Sequence, residues 1–235
     1  MPIIKHITTN IAFILITVTL CYGGIFVPLA GEVWESRGMY TGEKYFRNEW
    51  MRGDVMLENG MVAENVRLRY NGLIDELFWL HEGSMQHIRL DRGLVSGFRM
   101  YVPEEDERLE FTKVERGRLS MLGTSDIFVQ VLYDDIVILY AYRQVSRKRD
   151  VYVRRGRSRY KLTEVEPDPV YFLVLPGDIV IRPDTLNRRD VYRAFPGIRN
   201  ELRSIFRQRR NVSGYEQQLK ETVRRINRAL EEHQQ

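Results

Sequence analysis

Short apolar segments alternate with turn signals through the middle of the chain, over residues 50–101. Four turn sequences interrupt these β-branched and aromatic segments: Glu58-Asn59-Gly60, Asn71-Gly72, Glu82-Gly83 and Asp91-Arg92-Gly93. Asn-Gly favours a tight hairpin turn, because both residues tolerate the positive φ that such a turn needs. Four turns between apolar segments predict five antiparallel strands, arranged as a meander.

The alternating pattern continues after residue 102, with further turn signals between apolar segments. Strands are predicted over residues 109–114, 119–122, 126–133 and 136–145. A last hairpin joins residues 170–175 to residues 179–182 across Pro176-Gly177-Asp178, because Pro-Gly-Asp is a strong turn sequence.

The apolar period changes from two to about 3.6 near residue 184, which indicates helices. Asp184 is a suitable N-cap for a short helix that ends at Phe195, before Pro196-Gly197. A second helix follows, and Ser213 to Glu216 form a capping box for a third. The second helix has apolar residues at Ile198, Leu202, Ile205 and Phe206, and the third has them at Tyr215, Leu219, Val223, Ile226 and Leu230.

These patterns together predict a mainly β protein with two to three C-terminal α-helices. The β part is an antiparallel meander that forms a curved sheet or an open barrel. We divide the chain into a signal peptide or membrane anchor (1–31), an antiparallel β domain (32–183) and a helical tail packed on the sheet (184–235).

The N-terminal segment predicts export. Lys5 precedes an apolar, uncharged run, and this layout is typical of a secretory signal peptide. Three fates of the segment remain open. It is cleaved near Gly23 or after Ala30, it is retained as a membrane anchor, or it is lipidated at Cys21, although Leu20 is bulkier than lipoprotein signals favour. Each fate places the rest of the chain in the periplasm or at the outer membrane.

The overall charge is small, but it is unevenly distributed. The chain has 36 Lys and Arg against 32 Asp and Glu, a net charge of +4, which is too little to imply a nucleic-acid partner. Residues 31–142 contain 13 basic and 20 acidic side chains, whereas residues 143–161 contain nine basic and one acidic. The positive charge is therefore concentrated in one short segment.

The basic segment is predicted to form an exposed hairpin with a turn or bulge near Gly156, because Arg157, Arg159 and Lys161 alternate with period two. One interpretation is a solvated sheet edge whose charge discourages pairing with other chains. The other is a surface that binds anions: phosphate-bearing lipid headgroups, lipopolysaccharide or an acidic protein partner. The candidate binding residues are Arg143, Arg147, Arg149, Arg154, Arg155, Arg157 and Arg159.

Candidate catalytic groups are few. His81 and His87 lack the further ligands that a metal site needs. Asp75 and Glu76 lie near Trp79 in the manner of a glycoside hydrolase carboxylate pair, but adjacent residues of a strand point to opposite faces. The sequence also lacks the common nucleophile, phosphate-loop and zinc-protease motifs. We therefore expect a non-catalytic protein without a cofactor or a metal.

The pattern of most of the mature chain resembles that of a group of Bacteroidetes-type exported proteins for which no activity is established. The resemblance rests on Asn48-Glu49-Trp50, the G-x-V-x-L-x-N-G pattern over residues 53–60, and residues 66–77. In that group a β-rich body is followed by a hairpin and a helical tail, as residues 186–195 and 198–230 suggest here. The resemblance implies an exported, β-rich envelope protein and assigns no residue a role.

The functional expectation is therefore a non-catalytic, exported cell-envelope protein that serves as an interaction or accessory subunit of a membrane-associated assembly. Its expected partner is an envelope or membrane protein, or an anionic lipid or lipopolysaccharide. The alternative is a lipid or small-ligand carrier with a cavity inside the curved sheet. An enzyme that acts on glycans is a third hypothesis.

Overall fold

The computed structural model describes residues 29–34, 39–103, 107–119, 121, 123–183, 188–207 and 214–234. The strands within these ranges are β1 (Gly31–Val33), β2 (Tyr40–Gly42), β3 (Met51–Leu57), β4 (Val62–Asn71), β5 (Glu76–His81), β6 (Gln86–Leu90), β7 (Val95–Val102), β8 (Glu107–Glu115), β9 (Asp126–Tyr133), β10 (Ile138–Tyr142), β11 (Val145–Arg155), β12 (Ser158–Pro167), β13 (Val170–Leu175) and β14 (Ile179–Ile181). The helices are α1 (Arg188–Ala194), α2 (Arg199–Arg207) and α3 (Tyr215–Gln234).

Within the described residues, eleven strands form one antiparallel sheet in the order β1-β6-β5-β4-β3-β7-β8-β9-β10-β13-β14. The mainly β fold with C-terminal helices is confirmed, and so are the five strands between residues 50 and 102. The simple meander is wrong, because β7 pairs with β3 and not with β6. Turn sequences determine each hairpin locally, but they do not determine which free edge the next strand joins.

The position of β7 requires the sheet to roll up. Four strand spacings, ~19 Å in a flat sheet, separate β6 from β7. The five residue steps from Leu90 to Val95 span at most ~17 Å, and residues Arg92–Leu94 form a compact 3-10 turn. The sheet therefore curls, but it does not close into a barrel, and β1 and β14 remain edge strands.

Two other predicted strands differ from the structure. Residues Arg116–Leu119 form a 3-10 turn, and Met121 belongs to no strand. Leu119 is buried and Met121 packs against the same core cluster, so these two residues of the predicted strand contribute to the core instead. The strand predicted over residues 136–145 is divided, because the chain leaves the large sheet after Tyr142 and begins β11 at Val145. The proposed N-cap Asp184 lies outside the described residues.

A second, smaller sheet contains β11, β12 and β2 in that order. β11 and β12 are antiparallel, and β2 runs parallel to β12 over three residues only, opposite Thr163, Glu164 and Val165. Much of the β11–β12 hairpin therefore extends beyond the third strand.

The helical tail covers one end of the large sheet. The predicted apolar stripe of α3 is buried at Val223, Ile226 and Leu230, and it packs in one core cluster with residues of β10, β13 and β14. Tyr215, at the start of the stripe, is 48% exposed. Asn227 attaches the helix to the sheet, since its amide accepts a hydrogen bond from Val137 N at 2.8 Å and donates one to Val137 O at 3.0 Å.

Replacing Asn227 by alanine is expected to lower the free energy of unfolding by about 3 kcal/mol. The side chain is 1% exposed, so its loss leaves two buried backbone groups of Val137 without their hydrogen bonds. Urea unfolding measures the change. Arg228→Ala is the control, because Arg228 is exposed on the neighbouring position of α3, and it should stay within about 0.5 kcal/mol of the native protein. Equal effects of the two substitutions would contradict this role for Asn227.

Candidate interaction site

The most prominent surface feature is the outer part of the β11–β12 hairpin, residues 151–162, which we call the arm. Every described side chain from residue 152 to residue 161 is exposed. Exposure on both faces means that the arm projects into solvent. The distance from Thr163, which pairs with β2, to the turn at Gly156 is about seven residues, so the arm extends by ~20 Å.

The predicted hairpin with a turn at Gly156 is confirmed. Arg155 pairs with Ser158, so Gly156 and Arg157 form a two-residue loop. Gly156 has a φ of +60°, and the loop is therefore of the kind with glycine in its first central position, which suits the twist of a hairpin.

The rest of the hairpin, residues 145–150 and 163–167, which we call the lower hairpin, differs from the arm in charge. In the lower part, Lys148 pairs with Glu166 at 2.7 Å and Arg149 pairs with Glu164 at 2.5 Å. These contacts join cations and carboxylates on opposite strands. Hydrogen bonding to Glu166 raises the pKa of Lys148, so this pairing also favours the charged lysine.

The arm itself contains five basic residues and no acidic residue between positions 151 and 163. Lys161 reaches back to Asp150 at 2.7 Å, and this hydrogen bond lowers the pKa of the Asp150 carboxyl. Arg154 and Arg159 lie directly opposite each other across the strands, an arrangement that destabilises a hairpin. The charge at the tip therefore does not stabilise the arm, and it calls for another explanation.

The strand register divides the arm into two chemically different sides. Cross-strand partners point to the same side, and alternate residues point to opposite sides. Tyr152 is paired with Lys161 and Arg154 with Arg159, whereas Val151 is paired with Leu162 and Val153 with Tyr160. The last pair before the turn, Arg155 and Ser158, follows the second set in register. We call the first set the cationic side (Tyr152, Arg154, Arg159 and Lys161) and the second the apolar side (Val151, Val153, Tyr160 and Leu162).

Both sides are open to solvent. Tyr152 is 57% exposed, Tyr160 40% and Val153 38%. On the cationic side, the Arg159 guanidinium lies 4.2 Å from the centre of the Tyr152 ring. The alternation around Gly156 is visible in the sequence, but the apolar side is not, because basic residues dominate the segment.

The predicted binding residues fall into three groups. Arg154, Arg155, Arg157 and Arg159 lie in the arm. Arg147 and Arg149 lie in the lower hairpin, where Arg147 is 5.9 Å from the Tyr40 ring centre. Arg143 lies apart, since it precedes β11 and its side chain is 13% exposed.

Arg143 joins the sheet to the helical tail. Its guanidinium contacts Glu216 of α3 at 2.6 Å and donates to Gln130 of β9 at 2.7 Å. Burial alone raises the pKa of a carboxyl, but hydrogen bonding from Arg143 outweighs it and lowers the pKa of Glu216. Arg143 therefore belongs to the packing of α3.

A second cluster of charged groups lies inside the rolled sheet. Asp75, in the turn between β4 and β5, accepts a hydrogen bond from the Tyr70 hydroxyl at 2.6 Å and one from the Phe128 amide at 3.3 Å. Its other carboxylate oxygen lies 3.1 Å from Arg92, which also donates to the carbonyl of Asp126 at 2.7 Å. We call Tyr70, Asp75 and Arg92 the clasp, because they join the β4–β5 turn to β9 across the roll.

Burial dominates the electrostatics of the clasp. It raises the pKa of Asp75 to about 6, against the opposite effect of Arg92, and it raises the pKa of Tyr70 well above 10.0. Tyr70 is fully buried and Asp75 is 4% exposed. Tyr70 and Asp75 are therefore enclosed, which suits the clasp to holding the roll together.

Asp75 and Glu76, the candidate carboxylate pair, are not both residues of one strand as the sequence predicts. β5 begins at Glu76, and Asp75 lies in the preceding turn with a φ of +54°. Arg92 contacts both residues, because Glu76 also lies 3.6 Å from its guanidinium. The sequence offered no signal for this contact, since Arg92 is separated from Asp75 by two strands.

The two histidines of the large sheet have separate environments. His81 contacts Ser84 at 2.9 Å, and the His87 ring lies 5.0 Å from that of Trp50. Within the described ranges, no three His, Cys, Asp or Glu side chains come together as a metal site requires. The proposed lipidation site Cys21 lies outside the described residues. None of the helices described here has both the length and the apolar character needed to cross a membrane.

Comparison with known proteins finds no matching family model, no similar curated protein and no similar solved structure. The resemblance to exported Bacteroidetes-type proteins therefore stays a prediction.

Proposed function

We propose that this protein is a non-catalytic, exported cell-envelope protein that serves as an interaction or accessory subunit of a membrane-associated assembly. The arm is its binding element. The observation that carries the proposal is the concentration of five cations and three exposed apolar side chains on a hairpin that projects from the folded body.

Protection of a sheet edge explains only part of this composition. Charged side chains discourage pairing at an edge, and the lower hairpin already has them in Lys148 and Arg149. Exposed tyrosine and valine have the opposite effect, because they favour strand formation and association with other molecules. The combination of Arg154 and Arg159 with Tyr152, Val153 and Tyr160 is better suited to a binding surface.

The filled interior of the curved sheet favours the interaction subunit over the ligand carrier. Large side chains fill its interior, including Tyr70, Phe98 and Phe111, each 0% exposed. A half-open cleft of about 430 Å³ lies near β1 and β6, but charged residues such as Arg89 and Arg92 line it. A smaller cleft of about 260 Å³ beside the start of β11 and the end of β12 is more apolar, yet it is below the ~300 Å³ of typical ligand sites. The carrier therefore remains the weaker alternative.

Reversing the charge of the arm is expected to prevent its partner from binding. The test is affinity purification of the tagged full chain from native membranes, with the variant R154E/R157E/R159E beside the native protein. Because an anionic partner is repelled by the reversed charge, recovery of a stoichiometric envelope component should fall by at least about 10-fold. Intact-mass analysis of the same sample reports whether the N-terminus is cleaved, lipidated or retained.

The matched control is R203E/R207E/R228E, which makes the same change in net charge on exposed positions of α2 and α3. The control should retain the component at the native level. Equal recovery with both variants, or equal loss with both, would contradict a binding role for the arm.

A further inference from the structure

The two sides of the arm restrict the kind of partner that it fits. An acidic protein surface complements the cationic side, but it leaves the apolar side in water. The boundary between the headgroups and the acyl chains of a bilayer accommodates both sides at once. Arginine and lysine reach phosphate groups, while valine, leucine and the tyrosine ring occupy the less polar layer beneath.

We propose that the arm docks onto an anionic lipid surface, with its apolar side in the membrane interface and its arginines on the lipid phosphates. This inference rests on the proposed function and specifies the partner of the same site. It commits to the surface of a bilayer as the occupant, and the argument is the match between the charge and polarity of the arm and those of the interface.

The geometry of the tip agrees with this mode of docking. The pairing of Val153 with Tyr160 places an aliphatic and an aromatic side chain together on the apolar side, four residues or fewer from the turn at Gly156. Arg154 and Arg159 oppose each other on the other side. A row of phosphates removes the repulsion between them, because each guanidinium then has an anionic partner of its own.

The projection of the arm also favours a flat, extended target. Both faces of the hairpin are exposed from residue 152 to residue 161, and the arm reaches ~20 Å beyond the strand that supports it. The tip can therefore contact a planar surface without a close approach of the folded body. The ion pairs of Lys148 and Arg149 lie below the arm and do not need to open.

The experiment is cosedimentation of the full chain with vesicles. One set contains phosphatidylcholine alone, and the other contains phosphatidylcholine with phosphatidylglycerol. The native protein should bind the phosphatidylglycerol vesicles at least about 10-fold more tightly, and added salt should weaken this binding. R154E/R157E/R159E should lose about 100-fold or more in affinity for these vesicles, because each cation at a lipid surface contributes independently.

A second variant tests the apolar side. V153S/Y160S keeps all five cations and should still lose several-fold in affinity, since these two side chains no longer enter the interface. R203E/R207E/R228E is again the control for net charge and should bind as the native protein does. Urea unfolding of each variant verifies that the fold is intact, which is expected because all substituted residues are exposed.

Equal binding to both vesicle types, or native-level binding by R154E/R157E/R159E, would overturn the lipid proposal. An unchanged affinity of V153S/Y160S would overturn the insertion of the apolar side. If vesicles are not bound but the reversed-charge variant loses a protein from native membranes, the proposed function stands and the lipid partner is wrong. If neither experiment depends on the arm, both proposals fail.

Discussion

Replacing Asp75 by alanine is expected to lower the free energy of unfolding at pH 4, where the native carboxyl is protonated, by about 3 kcal/mol. The substitution leaves the buried Tyr70 hydroxyl and the Phe128 amide without their acceptor, and unsatisfied buried groups are costly. Finally, alanine tolerates the φ of +54° less well than aspartate does.

Glu110→Ala is the matched control. Glu110 pairs with Arg99 at 3.1 Å, but both side chains are nearly half exposed, so the change should be within about 1 kcal/mol. Urea unfolding at pH 4 compares the two variants. If Asp75→Ala is no more destabilising than Glu110→Ala, the clasp does not hold the roll together.

The pH dependence of stability separates the charge of Asp75 from its hydrogen bonds. Its pKa is raised from 3.8 to about 6 in the folded protein, so between these pH values the native state holds a proton that the unfolded state has released. The free energy of unfolding therefore falls as pH rises through this window, by about 3 kcal/mol from this group. Asp75→Asn keeps an acceptor for Tyr70 but cannot titrate. As pH rises from 3.8 to about 6, its free energy of unfolding should therefore increase by about 3 kcal/mol relative to that of the native protein. Parallel stability curves would contradict the raised pKa.

Removing the arm is expected to abolish binding and to leave the fold intact. Val151 and Leu162 are cross-strand partners, so Asn-Gly can join them as a two-residue hairpin turn in place of residues 152–161. Since the described side chains of the deleted segment are exposed, the free energy of unfolding should change by less than about 1 kcal/mol. Urea unfolding with detection by circular dichroism measures this value. A loss of several kcal/mol would show that the arm supports the core.

The elements that sequence analysis located correctly are those with local signals. The hairpins depend on turn residues between adjacent segments, and α3 depends on a repeat of apolar residues that ends at Leu230. These features act over a few residues, so a single sequence reveals them. The place of β7 beside β3 depends on the roll of the whole sheet, which no local pattern encodes.

The candidate sites were likewise predictable only where their residues are close together in the sequence. The hairpin around Gly156 was predicted, because its charge and its period-two alternation lie in one segment. Arg143 was grouped with it by proximity in sequence, although its partner Glu216 lies 73 residues further along the chain. The clasp was missed for the same reason, since the contact of Phe128 with Asp75 spans 53 residues.

The most direct test of the arm as the binding element is the recovery of envelope material from native membranes by the chain with residues 152–161 replaced by Asn-Gly. Full-length protein and shortened protein are compared at equal amounts, after their stabilities have been shown to match. We expect the full-length protein to retain its component, lipid or protein, and the shortened protein to lose it. Equal recovery by the two proteins would contradict this expectation and would place the binding site in the folded body.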